Sequence, residues 1–329
     1  MELQLKNIGM IKEANVNIDG LTVIAGENDT GKSTVGKALF MVLKSSFAQF
    51  NSTSKEKPTS VMLDYLEMLF KNQVNNDASI GFKNNEGNFK VSFIQHKVSI
   101  STDSDYYHLS YNPIFIESPL VWNFTDFFRD IAQIESQMRI ELDYPHLMKD
   151  LNFKLHIKNA STGLDIKKEM ISLMGGEFKK DEVGHYYFDK QGKRIELINT
   201  ATGIKTFGIF QVLSQNDYLN KDTVLILDEP EVHLHPKWQL KMANVIVELV
   251  KNGVKILVNS HSPYMIEALQ RYSELAEVTS DFYLAEDGYI KKNNDDNSET
   301  LAKIFEKLSE PFDVFEEIDS LRMEKLING

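Results

Sequence analysis

The nine residues Gly26-Glu27-Asn28-Asp29-Thr30-Gly31-Lys32-Ser33-Thr34 constrain this chain more than any other segment, because they match G-x-x-x-x-G-K-[ST] in full. Their setting is the one the chemistry requires. Leu21-Thr22-Val23-Ile24-Ala25 is a mostly apolar run that reads as a strand buried on both faces, and from Ser33 to Lys44 the spacing of Val35, Leu39, Val42 and Leu43 fits an amphipathic helix. Strand, glycine loop and helix in that order surround a phosphate with backbone N–H groups and a helix N-terminus. Glycines allow close wrapping, Lys32 neutralises the β and γ oxygens, and Ser33 ligates magnesium. All nine residues are expected nucleotide contacts. Asp29 adds a charge beside phosphate, in a turn that glycine adopts more readily, and is expected to tune affinity.

A second buried strand, Thr223-Val224-Leu225-Ile226-Leu227, ends in Asp228-Glu229. Alone, such an acidic pair is as consistent with a helix N-cap as with chemistry. Beside a phosphate loop it acquires roles: Asp228 reaches the magnesium shell with Ser33, and Glu229 orients or deprotonates the attacking water. A helix over Gln239–Val250 and a further buried strand over Lys255–Asn259 follow, and this alternation implies a parallel sheet.

Elsewhere the patterning predicts strands at Leu3–Lys6 and Ala14–Ile18 and a hairpin within 79–101 around Asn84-Asn85-Glu86-Gly87. Ser118–Met174 reads as helical, with Trp122, Phe124, Phe127 and Phe128 as core aromatics and Pro145 as a breaker. A hairpin joins Tyr186–Phe188 to Ile195–Ile198, a helix covers Thr206–Leu213, another hairpin turns at Asp287-Gly288, and a final helix starts near Glu299. This divides the chain into an α/β core, 1–45 and 195–329, and an inserted part, 46–194, of antiparallel hairpins and helices.

The 329 residues contain no apolar run of the ~18 a membrane helix needs, and Met1-Glu2-Leu3-Gln4-Leu5-Lys6 lacks a secretory apolar core, so a cytoplasmic protein without a membrane partner is expected. Zero cysteines exclude disulfides and thiolate chemistry. A formal charge of −12 argues against indiscriminate coating of nucleic acid, although residues 149–205 carry 11 Lys/Arg against 8 Asp/Glu and leave a local DNA or RNA contact open.

The stretch Leu227-Asp228-Glu229-Pro230-Glu231-Val232-His233-Leu234-His235-Pro236, followed by Asn259-Ser260-His261-Ser262-Pro263, resembles the ABC ATPases of the SMC, RecF and OLD (overcoming-lysogenization-defect) group, especially small single-chain prokaryotic members. The likeness covers 1–45 and about 195–270. It implies a P-loop ABC-type ATPase with a mixed, largely parallel central sheet, an N-terminal antiparallel β subdomain and an α-rich insertion. It implies ATP and Mg2+ as cofactors, Glu229, His261 and Lys32 as the catalytic set, and Ser33 and Asp228 as metal ligands. His261 becomes the switch histidine that reaches the γ-phosphate. Ala201-Thr202-Gly203-Ile204-Lys205 matches the signature segment, so Thr202 and Gly203 are expected to contact the nucleotide of a partner subunit, with Thr202 keeping the hydroxyl of the usual serine. The magnesium-sensing glutamine lacks a motif; Gln49 and Gln95 are its candidates. Zinc at His233 and His235 is set aside because no further histidine or cysteine cluster completes a site.

What the resemblance implies for function is a homodimer or higher even oligomer switched by ATP, acting on a separate effector, a nuclease or toxin, in DNA repair or antiphage defence. OLD proteins carry a Toprim nuclease after the ATPase, and the 66 residues after Pro263 are too few for one. A nucleotide-gated scaffold with little hydrolysis is the main alternative. A transporter subunit fits less well, because the chain lacks a Leu-Ser-Gly-Gly-Gln type signature and carries Glu231-Val232-His233-Leu234-His235 where an Ala-Leu-Asp stretch is usual.

Overall fold

The computed structural model describes residues 1–50, 58–71, 74–85, 87–94, 97–102, 111–138 and 145–328. In chain order the elements are β1 (Glu2–Ile8), β2 (Ile11–Asn17), β3 (Leu21–Ala25), α1 (Lys32–Phe50), α2 (Pro58–Phe70), β4 (Val74–Lys83), β5 (Asn88–Ile94), β6 (Lys97–Thr102) and β7 (Asn112–Ile116). Then come α3 (Thr125–Met138), α4 (His146–His156), α5 (Lys167–Met174), β8 (Glu177–Lys180), β9 (Tyr186–Lys190), β10 (Lys193–Glu196), α6 (Thr202–Gln215) and β11 (Thr223–Asp228). The chain closes with α7 (Pro236–Lys251), β12 (Lys255–Ser260), α8 (Pro263–Leu275), β13 (Ser280–Glu286), β14 (Tyr289–Lys291) and α9 (Ser298–Asn328). Among these described helices, none is long and apolar enough to cross a membrane.

One eleven-stranded sheet carries the fold, in the order β6-β5-β4-β1-β2-β14-β13-β3-β12-β11-β7. Strands β13, β3, β12, β11 and β7 are mutually parallel, and β1, β2, β4, β5 and β6 form an antiparallel half. The strand β14 joins the halves, antiparallel to β13 and parallel to β2. Every residue of β3 and β11 is buried, as expected of strands covered on both faces. Alternation then sorts their side chains: Leu21, Val23, Leu225, Leu227, Ile256 and Val258 pack with α6, α7 and α8, whereas Ile24, Val224, Ile226 and Leu257 pack with α1 and α2. A separate three-stranded antiparallel sheet, β10-β9-β8, lies beside α6, where Gln211 bonds the backbone of Phe178 in both directions, at 3.0 and 3.0 Å.

The sheet crosses the division read from the sequence. Strand β7 lies within 46–194, yet it pairs in parallel register with β11, Asn112 to Thr223 through Ile116 to Leu227, and completes the core. Strands β4 to β6 likewise extend the main sheet from β1. A five-residue strand with no polar alternation shows no period of 2, and Pro113 argues locally against a ladder. Proline is tolerated because β7 is the terminal strand of the sheet. Within the predicted β4–β5 hairpin Lys83 pairs with Asn88; Glu86 lies outside the described residues, as does Gln95. Pro145 stands immediately before α4, as a helix-breaking residue should.

A half-buried lysine and a buried one share one carboxylate where α1 meets α4. Lys44 Nζ lies 2.5 Å from Asp150 Oδ1, and Lys154 bonds Asp150 Oδ2 from the next turn of the same helix. Burial pushes Lys154 down to about 8, and Asp150 works against that shift. Burial also opposes the Asp150 charge, but Lys154 and Lys44 outweigh it and hold the carboxyl below its usual range. The aspartate thus neutralises cations on the helix that leaves the phosphate loop and on the inserted helix behind it. Because its folded pKa lies below the unfolded value of about 3.9, its contribution is complete above that pH and fades as pH falls through the folded value. Asp150→Asn leaves two lysines facing a neutral group, and urea unfolding at pH 7 is expected to show a loss of about 3 to 5 kcal/mol. A loss below about 1 kcal/mol would mean that the cluster does not anchor α4.

Candidate nucleotide-binding site

The loop between β3 and α1 keeps the geometry its glycines anticipate. Gly31 takes φ +90° and Asp29 takes φ +63°, so the aspartate adopts the left-handed conformation that its short polar side chain tolerates. A Cβ at Gly31 would come within 2.4 Å of the Ile11 side chain, which ties the loop to β2. Thr30 Oγ1 donates to the Glu27 carbonyl at 2.8 Å. Lys32 is 4% exposed, and its ammonium donates to the carbonyls of Gly26 at 2.9 Å and Glu27 at 2.5 Å. Burial lowers its pKa, against the attraction of Glu229, Asp228, Glu231 and Glu27. The side chain is therefore a desolvated cation at the mouth of an amide-lined loop.

Parallel pairing brings the other predicted residues to the same sheet edge. Asp228 pairs with Asn259 across β11 and β12, and Ser260 pairs with Ala25 across β12 and β3. Ser33 Oγ consequently donates to Asp228 Oδ1 at 3.1 Å, and Asn259 Nδ2 donates to the same oxygen at 2.8 Å. A hydroxyl and a carboxylate at this separation, both hard oxygen donors, fit a small divalent cation such as magnesium. Glu229 follows in the left-handed region at φ +50°, held by its N–H donating to the Asn259 carbonyl at 2.9 Å. Strain of this kind persists where the surroundings over-determine it. His261 Nδ1 lies 3.3 Å from Glu229 Oε1 and 3.6 Å from Glu231 Oε1. The phosphate loop, Asp228, Glu229 and His261 thus converge in one chain.

Thr202 and Gly203 belong to a different element. They begin α6, whose N-cap position, Ala201, offers no side-chain hydrogen bond. A Cβ at Gly203 would sit 3.1 Å from Leu234, in the segment that follows Glu229. His235 caps α7, its Nδ1 accepting from Lys237 N–H at 3.3 Å, and His233 adopts φ +66° in the preceding turn. For Gln49 the structure gives only a place in α1.

A cavity of about 320 Å³ adjoins Ser33, Asp228 and Glu229, and Glu117, Ser118 and Thr206 also line it. Glu117 follows β7, so it was hidden for the reason β7 was; its one sequence signal is an acid directly after an apolar run, Ile114-Phe115-Ile116. Several cations of the basic segment are ion-paired. Lys179 pairs with Glu177 and Asp189, Arg194 with Asp181 and Glu196, Lys167 with Glu177 and Lys158 with Asp217.

Comparison with known proteins agrees with this geometry. The family described as AAA ATPase domain matches residues 122–266, a span that holds α6, Asp228, Glu229 and His261 and begins after the phosphate loop. The Septu protein PtuA of Bacillus thuringiensis is 24% identical over 305 residues, covering 81% of this chain and 72% of that protein. An SMC head bound to the C-terminal winged-helix domain of ScpA superposes with a TM-score of 0.52 at 15% identity, over 88% of this chain and 95% of the other. An Smc head with an extended coiled coil, bound to the C-terminal domain of ScpA from Pyrococcus furiosus, gives 0.51 at 14% identity, over 94% and 99%. The chain thus has the fold of the SMC heads and, over residues 122–266, matches the AAA ATPase domain. The central sheet with its antiparallel half, and the small separate sheet, give the mixed α/β architecture expected from the sequence.

The burial of Lys32 yields a test of the phosphate loop. Lys32→Met removes a desolvated charge together with two hydrogen bonds, so unfolding free energy should stay within about 1 kcal/mol of the parent while stability and binding part company. Fluorescent-nucleotide titration should show ATP affinity about 10- to 100-fold weaker. Unchanged affinity would remove Lys32 from the phosphate site.

Proposed function

We propose that this ATPase binds Mg-ATP on the Gly26–Thr34 loop, hydrolyses it with Glu229 and His261, and uses the bound nucleotide to join two copies of the chain. The observation that carries the reading is the shared Asp228 carboxylate, bonded to both Ser33 of the phosphate loop and Asn259 beside the switch strand's end. When bound, magnesium would supply charge neutralisation for the phosphates, with Ser33 and Asp228 holding it. The chain's own residues do the rest. Lys32 and the loop amides hold the phosphate oxygens, Glu229 accepts a proton from the attacking water, and His261 stabilises charge on the oxygens of the transferred group.

Partner completion rests on α6. The N-terminal amides at Thr202 and Gly203 lack a side-chain cap, so a phosphate held by a second copy suits them. Nucleotide then favours the paired state and its loss favours separate chains, and a separate effector chain reads the difference. The similar SMC heads are each seen with a separate chain, ScpA, which supports action through a partner. The OLD-group resemblance and the likeness to PtuA favour antiphage defence as the setting, with a nuclease or toxin as effector and DNA repair as the related context. A scaffold that holds ATP with little turnover is the second reading, favoured only by the departures from the signature pattern at Thr202 and Lys205.

Steady-state ATPase measurements separate the two. The parent should hydrolyse ATP with a specific activity that falls on dilution, and Glu229→Gln should lower kcat about 10²- to 10⁴-fold while retaining ATP binding. A Glu229→Gln enzyme at parental rate would contradict the catalytic assignment. Activity independent of protein concentration in a monomer would contradict completion by a second copy.

A further inference from the structure

We infer that Glu231, which no role in phosphate binding, metal binding or water activation requires, is the positioning residue that sets His261 against Glu229. The inference rests on the hydrolytic reading of the site and deepens it. Glu231 is 4% exposed. One of its oxygens, Oε1, accepts three hydrogen bonds from three consecutive residues: Ser260 Oγ at 2.7 Å, His261 N–H at 2.9 Å and Ser262 N–H at 3.2 Å. The other oxygen, Oε2, is buried and has no hydrogen-bond partner. The turn that ends β12 is therefore wound around a single carboxylate oxygen.

Burying a carboxylate is costly unless donors and positive potential surround it. Here two successive backbone N–H groups and a hydroxyl supply the donors, Ser262 is the N-cap of α8, and Lys32 contributes charge from α1. A clamp on the His261 backbone fixes where its imidazole lies, because the ring reaches Glu229 at 3.3 Å from that anchored Cα. The clamp is short in sequence as well as in space. Glu231 is two residues beyond Glu229, in a turn closed by Val232 N–H donating to the Glu229 carbonyl at 3.0 Å, so any displacement of the histidine turn is transmitted to the catalytic glutamate. A second strut, Ser262 Oγ donating to Gln239 Oε1 at 2.6 Å, holds the same turn to α7. Loss of Glu231 therefore leaves the turn attached but no longer registered.

The role requires an acceptor at Oε1 rather than a charge, and three substitutions in the full chain separate the possibilities. Glu231→Gln can keep the acceptor and should retain kcat within about threefold. Glu231→Ala removes it and should lower kcat about 10²-fold, the scale of a displacement of about 1 Å, with KM for ATP changed less than about threefold. Glu231→Asp withdraws the acceptor by one methylene and should fall between them, which keeps the test decisive if the alanine variant does not fold. The double variant Glu231→Ala/His261→Ala should be no slower than His261→Ala alone, because both changes remove the same contribution. Parental kcat in Glu231→Ala or Glu231→Asp, losses that multiply in the double variant, or a glutamine variant as slow as alanine would each overturn the inference. Glu229→Gln measured in parallel distinguishes the failures: its retained turnover would sink the hydrolytic reading itself, whereas an inactive Glu229→Gln beside a fully active Glu231→Ala would sink only the role of Glu231.

Discussion

The site depends on parallel register between three strands. With Asp228 opposite Asn259 and Ser260 opposite Ala25, the ends of β11, β12 and β3 reach the same sheet edge, and the segments leaving them need only a few residues to meet. Asp228 makes the arrangement rigid by accepting from Ser33 and from Asn259 on one oxygen. A one-residue slip of β12 would reverse which face Asn259 presents and break its contact with Asp228. The apolar packing of β3, β11 and β12 against α1 on one side and α6 to α8 on the other is what forbids that slip.

Around this edge the chain concentrates charge that a stable core would avoid. Lys32, Asp228 and Glu231 are each less than one tenth exposed, and Glu229 is held at a positive φ. Their compensation is local: carbonyls for the lysine, a hydroxyl and an amide for Asp228, and a turn of N–H groups for Glu231. Such a cluster is preorganised for phosphate, since donors and charges are already desolvated and need little rearrangement when a ligand arrives. The Lys44–Asp150–Lys154 cluster extends the same logic outward, because it fixes the helix that begins at the phosphate loop to the inserted helical layer.

Local chemistry explains which features the sequence revealed. The phosphate loop, the Asp228-Glu229 strand end and the His261 turn are contiguous segments recognisable from residue type and spacing, so they could be read without the fold. Strand β7 could not, since five buried residues including a proline lack periodicity and the partner strand lies more than a hundred residues away. Glu117 was hidden with it. Asp150 reads as an exposed charge in a helical stretch until α1 is packed against α4.

The central claim is that ATP joins two chains across a site neither completes alone. Its most direct test is the mass in solution of Glu229→Gln with and without Mg-ATP, since this variant should hold nucleotide without consuming it. The account predicts a nucleotide-dependent doubling of mass, or conversion of a larger resting assembly into defined dimers, that substitution of Thr202 by a bulky side chain prevents. An unchanged mass at saturating, demonstrably bound ATP would contradict it.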